Sequence, residues 1–291
     1  MMTRPRFLRT KINRSTGGNI LAGLFLCVMG AFMVLPVVYT TTTAFKPLSE
    51  IYVFPPHFFA HQPTLDNFTQ ISLFLDDFWI PLSRYIFNTV FICTAVTFGN
   101  FALVSMAAYP LARLQFHGKA LISRVVKLSL LFSVTAMLIP RYIVMSNLGM
   151  INTYWALILP ELQSALGLYL MQNFMLQIPE ELAEAARIDG AGEFTIFSRI
   201  VMPNIKPAWL TIMIFSFQSI WNNTGITQTA TLVYNEKIKM VISLVSQVAS
   251  SGTARAGAGA ALSFLLIIPP VALFILCQGK IIETMSTSGM K

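Results

Sequence analysis

The side chains best suited to chemistry are three cysteines, and their setting argues against a reactive or metal-binding site. Cys27, Cys93 and Cys277 each lie inside an apolar run, without a CxxC pair and without a histidine at ligand spacing. Such cysteines behave as small buried hydrophobic residues. The chain also lacks a GxxxxGK(S/T) loop, so it cannot bind ATP in the manner of P-loop proteins. The sequence therefore predicts no catalytic residue, no metal site and no cofactor in this chain.

A different chemistry, the docking of another protein, is indicated by residues 178–207, called here the polar loop. This stretch reads IPEELAEAARIDGAGEFTIFSRIVMPNIKP, which is too polar to cross a bilayer. Pro179 suits the first turn of a helix, and Gly190 suits the position just past its end. These signals predict a short helix over Pro179–Asp189.

A second helix is predicted from near Glu193 to just before Pro203. Its apolar face consists of Phe194, Phe197 and Val201, which recur at helical spacing. Two short helices joined at a glycine form a compact knob that can transmit force to the flanking spans. The simpler interpretation is an amphipathic hairpin on the membrane surface, with Glu184 and Arg187 as an exposed ion pair three residues apart.

Polar residues also interrupt the long apolar runs, and they suit the binding of a solute. Uncharged amides and hydroxyls beside an aromatic ring match a sugar, whose hydroxyls need partners and whose faces stack on rings. Hydrogen bonding between helices is the alternative explanation for each residue. Arg141 and Glu161 face either this interior or the outer interface. The predicted solute path consists of Tyr142, Gln163, Tyr169, Asn173, Gln218, Trp221, Asn222 and Asn223.

The composition requires that these residues sit in a membrane protein. Hydrophobic residues make up 55% of the 291 residues, and charged residues only 11%, far from the balance of soluble domains. The net charge of +8 comes from clusters of Lys and Arg between apolar runs. They do not form one basic face, so nucleic acid is excluded as a partner.

Six apolar runs reach the roughly 20 residues that a membrane-spanning helix needs. The first is too long for a typical signal peptide and is predicted to be retained. The predicted spans are Asn19–Thr40, Tyr85–Leu111, Val125–Ser146, Tyr154–Leu176, Ala208–Leu232 and Ala260–Ile281.

The distribution of basic residues predicts the orientation. Most of the 20 Lys and Arg lie on one side if both termini and the polar loop are cytoplasmic. The predicted organisation is therefore a basic cytoplasmic tail over residues 1–18, a six-helix membrane domain over 19–283 that includes the polar loop, and a cytoplasmic tail over 284–291.

The polar loop closely resembles the signature loop of binding-protein-dependent ABC import permeases. The family pattern is Glu-Ala-Ala, then Asp-Gly-Ala, then Ile and Pro. The matching residues here are Glu184-Ala185-Ala186, Asp189-Gly190-Ala191, Phe197, Ile200, Pro203 and Pro207.

Further motifs resemble the second permease subunit of the maltose-type, carbohydrate-importing branch. They are Phe45-Lys46-Pro47, Phe54-Pro55-Pro56, Asn67-Phe68, Arg84-Tyr85 with Asn88, Ala107-Ala108-Tyr109, Ala112-Arg113, Ile139-Pro140 and Ile178-Pro179-Glu180-Glu181-Leu182. The resemblance implies an all-α, polytopic fold with six transmembrane helices, in a bacterial cytoplasmic membrane.

In that family, this loop forms a coupling helix that seats in a cleft of an ATPase subunit. The resemblance implies that Glu184 meets a basic or polar partner, that the two alanines after it permit close approach, and that Gly190 makes the turn. The full set carried over as ATPase-coupling residues is Glu184, Ala185, Ala186, Asp189, Gly190, Ala191, Phe194 and Pro203.

The resemblance also implies the partners. These are a second homologous permease subunit, two copies of an ATPase subunit that bind ATP and Mg, an extracytoplasmic solute-binding protein, and a sugar or oligosaccharide substrate. The chain departs from the family pattern at Asn223, where an acid is common, at Pro110 and in the tail Glu283–Lys291.

Three other functions are compatible with the sequence. One is an ABC permease for a non-sugar solute such as glycerol phosphate. A second is an ion-coupled secondary transporter, which needs repeat symmetry and a membrane-embedded acid, for which Glu161 is the only candidate. The third is a scaffold that uses the polar loop for docking without transporting anything.

Overall fold

In a computed structural model, the structure describes residues 16–76, 80–132, 135–222, 232–250, 252 and 255–288. All secondary structure in these ranges is helical, which confirms the all-α class. The helices are α1 (Thr16–Ala44), α2 (Leu48–Ile51), α3 (Asp66–Asp76), α4 (Leu82–Arg113), α5 (Lys119–Ser129), α6 (Leu138–Asn147), α7 (Tyr154–Leu162), α8 (Ala165–Leu176), α9 (Glu180–Ile188), α10 (Glu193–Asn204), α11 (Lys206–Ser219), α12 (Val241–Ser250) and α13 (Ala256–Ser288).

Three of these helices are long and apolar enough to cross a membrane by themselves. They are Gly17–Ala44, Leu82–Arg113 and Ala256–Cys277. The first two cover the first and second predicted spans, and the third covers all but the last four residues of the sixth. A fourth crossing is possible where Glu193–Asn204 and Lys206–Asn222 join at a bend of 83°. The fifth predicted span begins in this last segment, but its residues 223–231 lie outside the described residues. The count of six spans therefore stays a prediction.

The third predicted span is not one continuous helix. α5 ends at Ser129, and α6 begins at Leu138 after a short 3₁₀ turn over Thr135–Met137. Pro140 gives a physical reason, because it lacks an N–H and its ring clashes with the carbonyl four residues earlier in a helix interior. In the first turn of α6 that N–H is not needed, so the helix restarts there.

The fourth predicted span is also divided, into α7 and α8. Gln163 and Ser164 between them have extended backbone angles. The Ser164 hydroxyl accepts a hydrogen bond from the Gly167 N–H at 3.0 Å and so caps α8. The prediction of a single helix over Tyr154–Leu176 was wrong because a cap can start a new helix inside an apolar run.

α4 is the central element, and two clusters of buried side chains pack around its two ends. Near its beginning, Tyr85 and Ile92 pack with residues of α7, α12 and α13. Near its end, Ala108 and Tyr109 pack with α8, α11 and the polar loop. By contrast, the side chains of α1 over residues 18–36 are exposed and mainly apolar, as expected of a helix that faces lipid.

The first and last long helices meet at one buried amide. Asn67 is 1% exposed, and its Nδ2 donates hydrogen bonds to the carbonyl oxygens of Ala44 at 2.9 Å and Lys46 at 2.7 Å. Gly257 of α13 lies directly against the same side chain. The chain after α1 is thus fixed to α3 and α13.

Candidate functional site

The first helix of the polar loop forms as predicted, with the terminal residues serving as caps. α9 covers Glu180–Ile188, with Pro179 before it and Asp189 after it. Gly190 follows with a φ of +81°, a conformation that costs a residue with a Cβ about 1–2 kcal/mol. The glycine therefore makes the turn between the two helices.

The second helix is longer and less regular than predicted. α10 runs from Glu193 to Asn204, one residue beyond Pro203, and contains a π-helical turn over Ile196–Val201. Hydrogen bonds in a π turn span five residues, so Ile196 and Val201 both face the core, where they are 0% and 1% exposed. Phe194, which was expected on the same face, is instead 74% exposed.

One carboxylate joins the two loop helices to α4. Glu193 Oε1 accepts a hydrogen bond from Arg187 Nε at 2.9 Å, and Glu193 Oε2 accepts one from the Tyr109 hydroxyl at 2.6 Å. The bond to Arg187 lowers the pKa of the Glu193 carboxyl, and the bond to Tyr109 lowers it further. Sequence reasoning placed Arg187 beside Glu184 and did not assign Glu193 or Tyr109 a role.

Aromatic and apolar contacts reinforce this attachment. The Phe197 ring meets the Tyr109 ring edge-on, with 5.4 Å between centroids. Ala183 is buried, and Ala186 and Ala191 are half-buried against the same cluster. These small side chains belong to the same buried cluster as Tyr109 and Ala112 at the end of α4.

The end of α4 is tied to the start of the loop by side-chain hydrogen bonds. The Arg113 guanidinium donates to the carbonyl oxygens of Met175 and Ile178. Gln172 Nε2 donates to the Leu111 carbonyl oxygen at 3.1 Å. The polar loop is therefore continuous with the bundle and does not hang from it on a flexible linker.

The opposite side of the loop is open. Glu184, Ala185, Asp189, Gly190 and Pro203 are exposed. Within the described part of the chain, Glu184 makes no hydrogen bond or ion pair. Two large apolar side chains of the loop are exposed as well, Ile188 at 86% and Phe194 at 74%. The loop thus presents an acidic residue and two large apolar side chains from a support fixed to the bundle.

The predicted solute-path residues are spread over several surfaces. Tyr142, Gln163, Gln218 and Asn222 are exposed, and Tyr169 and Asn173 are half-buried. Asn173 Nδ2 donates to the Tyr169 carbonyl oxygen at 2.8 Å, which is a bond within α8. Asn223 lies outside the described residues.

Trp221 is largely committed to packing. It is 8% exposed, its Nε1 donates to the Leu266 carbonyl oxygen at 3.1 Å, and its ring stacks on Phe217. Gln163, in contrast, lines an open cavity of about 490 Å³ between α4, α5 and the break in the fourth span. The role of these residues in solute passage stays a prediction.

The break between α7 and α8 lies beside a buried amide in the middle of α4. Asn100 is 1% exposed, and its Nδ2 donates to the carbonyl oxygens of Leu162 at 2.8 Å and Glu161 at 3.4 Å. These carbonyls have lost their helical partners at the break. Sequence reasoning did not include Asn100 among the candidates, because a lone amide in an apolar run gives no signal of what it faces.

The predicted membrane domain matches the model of one transport family over its whole length. The family model described as the binding-protein-dependent transport system inner membrane component matches residues 18–283. This chain therefore belongs to that family of multi-pass transport permeases, and it is a transport component and not an enzyme.

Two relatives illustrate the range of the match. The chain is 36% identical to Protein LplC of Bacillus subtilis over 205 aligned residues. This alignment covers 69% of this chain and 65% of LplC. It is 28% identical to the arabinooligosaccharides transport system permease protein AraQ of Halalkalibacterium halodurans, over 89% of this chain and 91% of AraQ. The match thus spans slightly less than two thirds of LplC and nearly all of AraQ.

The fold also matches a solved structure. A chain in the crystal structure of a bacterial ABC transporter involved in the import of the acidic polysaccharide alginate superposes with a TM-score of 0.77. The two chains are 19% identical over 92% of this chain and 99% of the other. This likeness establishes the permease fold.

Proposed function

We propose that this chain is a permease subunit of an ATP-driven importer for a sugar or oligosaccharide, which an extracytoplasmic solute-binding protein delivers. The main observation behind this proposal is the open side of the polar loop, where the side chains of Glu184, Ile188 and Phe194 are exposed. Hydrogen bonds of Glu193 and Arg113 fix the loop to the end of α4. The relative named for arabinooligosaccharide transport supports a carbohydrate cargo.

The open side suits the cleft of an ATPase subunit. Exposed aromatic and aliphatic side chains on a rigid element are typical anchors of a protein interface, since they bury apolar area at low entropic cost. Glu184 adds a charge at their edge, which favours a basic partner and fixes the register. In this proposal ATP and Mg are bound by two ATPase copies, and a second permease completes the pathway.

This role sets the orientation. The polar loop and both termini face the cytoplasm, because the ATPase works there and because most basic residues lie on that side. ATP-driven closure of the ATPase pair moves α9 and α10, and the contacts of Tyr109 and Arg113 pass this movement to α4.

The test reverses the charge of the docking surface. Glu184→Lys in the reconstituted transporter is expected to lower ATP-dependent oligosaccharide uptake at least tenfold and to reduce the ATPase that copurifies. Gln177→Lys is the matched control, since it adds a lysine to an exposed position at the start of the loop. Uptake by Glu184→Lys at the wild-type rate, with the ATPase still copurifying, contradicts the docking role.

The same vesicles separate the competing functions. Uptake that persists without ATP and collapses with an uncoupler indicates an ion-coupled transporter. Docking that fails in Glu184→Lys without any change in solute flux indicates a scaffold. The solute that thermally stabilises the cognate binding protein identifies the cargo, because a ligand that binds the native state raises its stability.

A further inference from the structure

A pair of opposite charges lies at the break of the fourth span. Arg141 of α6 and Glu161 of α7 approach to 3.3 Å, with side chains only 15% and 16% exposed. The Ser219 hydroxyl of α11 donates to the other oxygen of Glu161 at 3.4 Å. With Asn100 of α4, these residues form what we call the mid-helix cluster, to which four helices contribute.

The cluster lies beside the middle of α4. Asn100, which bonds the Glu161 carbonyl, is about 27 Å along α4 from Leu82 and about 20 Å from Arg113 at 1.5 Å per residue. Both distances are large against a half-thickness of about 15 Å for the hydrocarbon core. Asn100 therefore lies well away from both ends of α4. The location of the ion pair, in the interior or at the outer interface, stays a prediction.

Stability does not explain such a pair. A buried ion pair is often no more stabilising than apolar side chains of similar volume, because desolvation offsets the attraction. Charged residues inside a membrane domain therefore generally serve a function. The cluster also keeps spare hydrogen-bonding capacity, since the buried Oδ1 of Asn100 has no partner in the described residues.

An open cavity lies beside the residues that follow Glu161. Leu162, Gln163 and Ser164, which directly follow Glu161, line the open cavity of about 490 Å³. That volume falls in the range of small-molecule sites, about 300–1,000 Å³. In secondary transporters, substrate sites are typically formed by discontinuous helices near the bilayer midplane.

We propose that the mid-helix cluster binds hydroxyl groups of the transported solute, and that its balanced charge selects a neutral sugar over a uronic acid. This inference rests on the proposed import function. Arg141 donates to and Glu161 accepts from neighbouring hydroxyls, as a polyol requires. The carboxylate of a uronic acid would be repelled there by the Glu161 carboxylate. Arg141 would not offset this repulsion, because its charge is already balanced by Glu161 at 3.3 Å.

The first test compares cargo of equal length. Proteoliposomes holding the full transporter with its cognate binding protein take up arabinotetraose, galactotetraose, tetragalacturonate or tetramannuronate. We expect at least one neutral tetrasaccharide to enter ten times faster than either acidic one. Faster entry of an acidic one overturns the selection of neutral sugars. Absence of ATP-dependent uptake of all four counts against the proposed sugar import itself.

The second test separates ligand binding from structure. Glu161→Gln and Arg141→Gln are each expected to lower uptake of the neutral tetrasaccharide at least tenfold. The double variant Arg141→Glu with Glu161→Arg keeps an ion pair but exchanges donor and acceptor positions. It is expected to restore the melting temperature of the complex but not uptake. Recovery of both shows that the pair is only structural and overturns the proposal.

Discussion

Glu193 shows how one side chain determines the form of the candidate docking site. It binds Arg187 within the loop and Tyr109 on α4, so a single carboxylate fixes both loop helices to the bundle. Because Arg187 pairs with Glu193, it does not pair with Glu184. The Glu184 side chain is exposed on the docking side. The pair of Glu184 and Arg187 belonged to the alternative interpretation of the loop as a surface hairpin.

The titration of Glu193 tests this arrangement. The carboxyl pKa is expected below its ordinary value of 4.5, so its contribution to loop attachment is full above pH 4.5 and is lost as pH falls through the lowered pKa. Arg187→Gln should raise this pKa most and Tyr109→Phe less, since the bond to Arg187 is the larger cause. The carboxyl carbon shift of labelled Glu193 in nanodiscs measures it.

Ser198→Ala is the control for this titration, because Ser198 lies on α10 and bonds only backbone oxygens of its own helix. A Glu193 pKa that is unchanged in Arg187→Gln contradicts the bridge.

At the scale of the helix, the division of the fourth span is the main departure from the predicted topology. α7 and α8 are each about half as long as a span, with 9 and 12 residues. Their junction is stable in a membrane only if its carbonyls find partners. Asn100 donates to the free carbonyls at the end of α7, and the Ser164 hydroxyl accepts from a free N–H at the start of α8.

Removing the Asn100 amide is expected to destabilise the junction. Asn100→Leu leaves the carbonyls of Glu161 and Leu162 without this donor, which costs about 1–3 kcal/mol of unfolding free energy. Thr97→Val, one turn away on α4, is the matched control, because the buried Thr97 hydroxyl has no partner in the described residues. Reversible unfolding of the purified subunit in detergent measures both, and equal losses count against the capping role.

At the scale of the whole molecule, one joint connects the beginning and end of the chain. α1 packs chiefly on α13, and Asn67 holds the chain after α1 by its two bonds to backbone carbonyls. A Cβ on Gly257 would lie 2.1 Å from Asn67 Oδ1 and 2.7 Å from Asn67 Cγ. Because Asn67 is held by both bonds, it cannot move aside without losing them.

Gly257→Ala is therefore expected to disrupt this joint. The loss of two hydrogen bonds, together with overpacking, should cost about 2–4 kcal/mol of unfolding free energy. Gly259→Ala, two residues later on the same helix, is the control, since its Cβ would meet Val248 at an ordinary 3.5 Å. A clear drop in melting temperature is expected for Gly257→Ala alone, and similar values for the two variants contradict the steric role of Gly257.

The sequence by itself determined the features that depend on local composition and spacing. The apolar runs gave the all-α membrane class, and Pro179 and Gly190 marked the ends of α9 within one residue. The pattern around Glu184 indicated the family before any contact was known. These properties depend on neighbouring residues, so a linear pattern carries them.

Only the tertiary structure decided which side chains meet. Tyr109 and Glu193 are 84 residues apart, and Asn100 and Leu162 are 62 apart. Likewise, Arg141 and Glu161 lie on separate helices and become an ion pair only when α6 packs beside α7. Contacts of this kind depend on the rotation and depth of whole helices, and the period of an apolar run fixes neither.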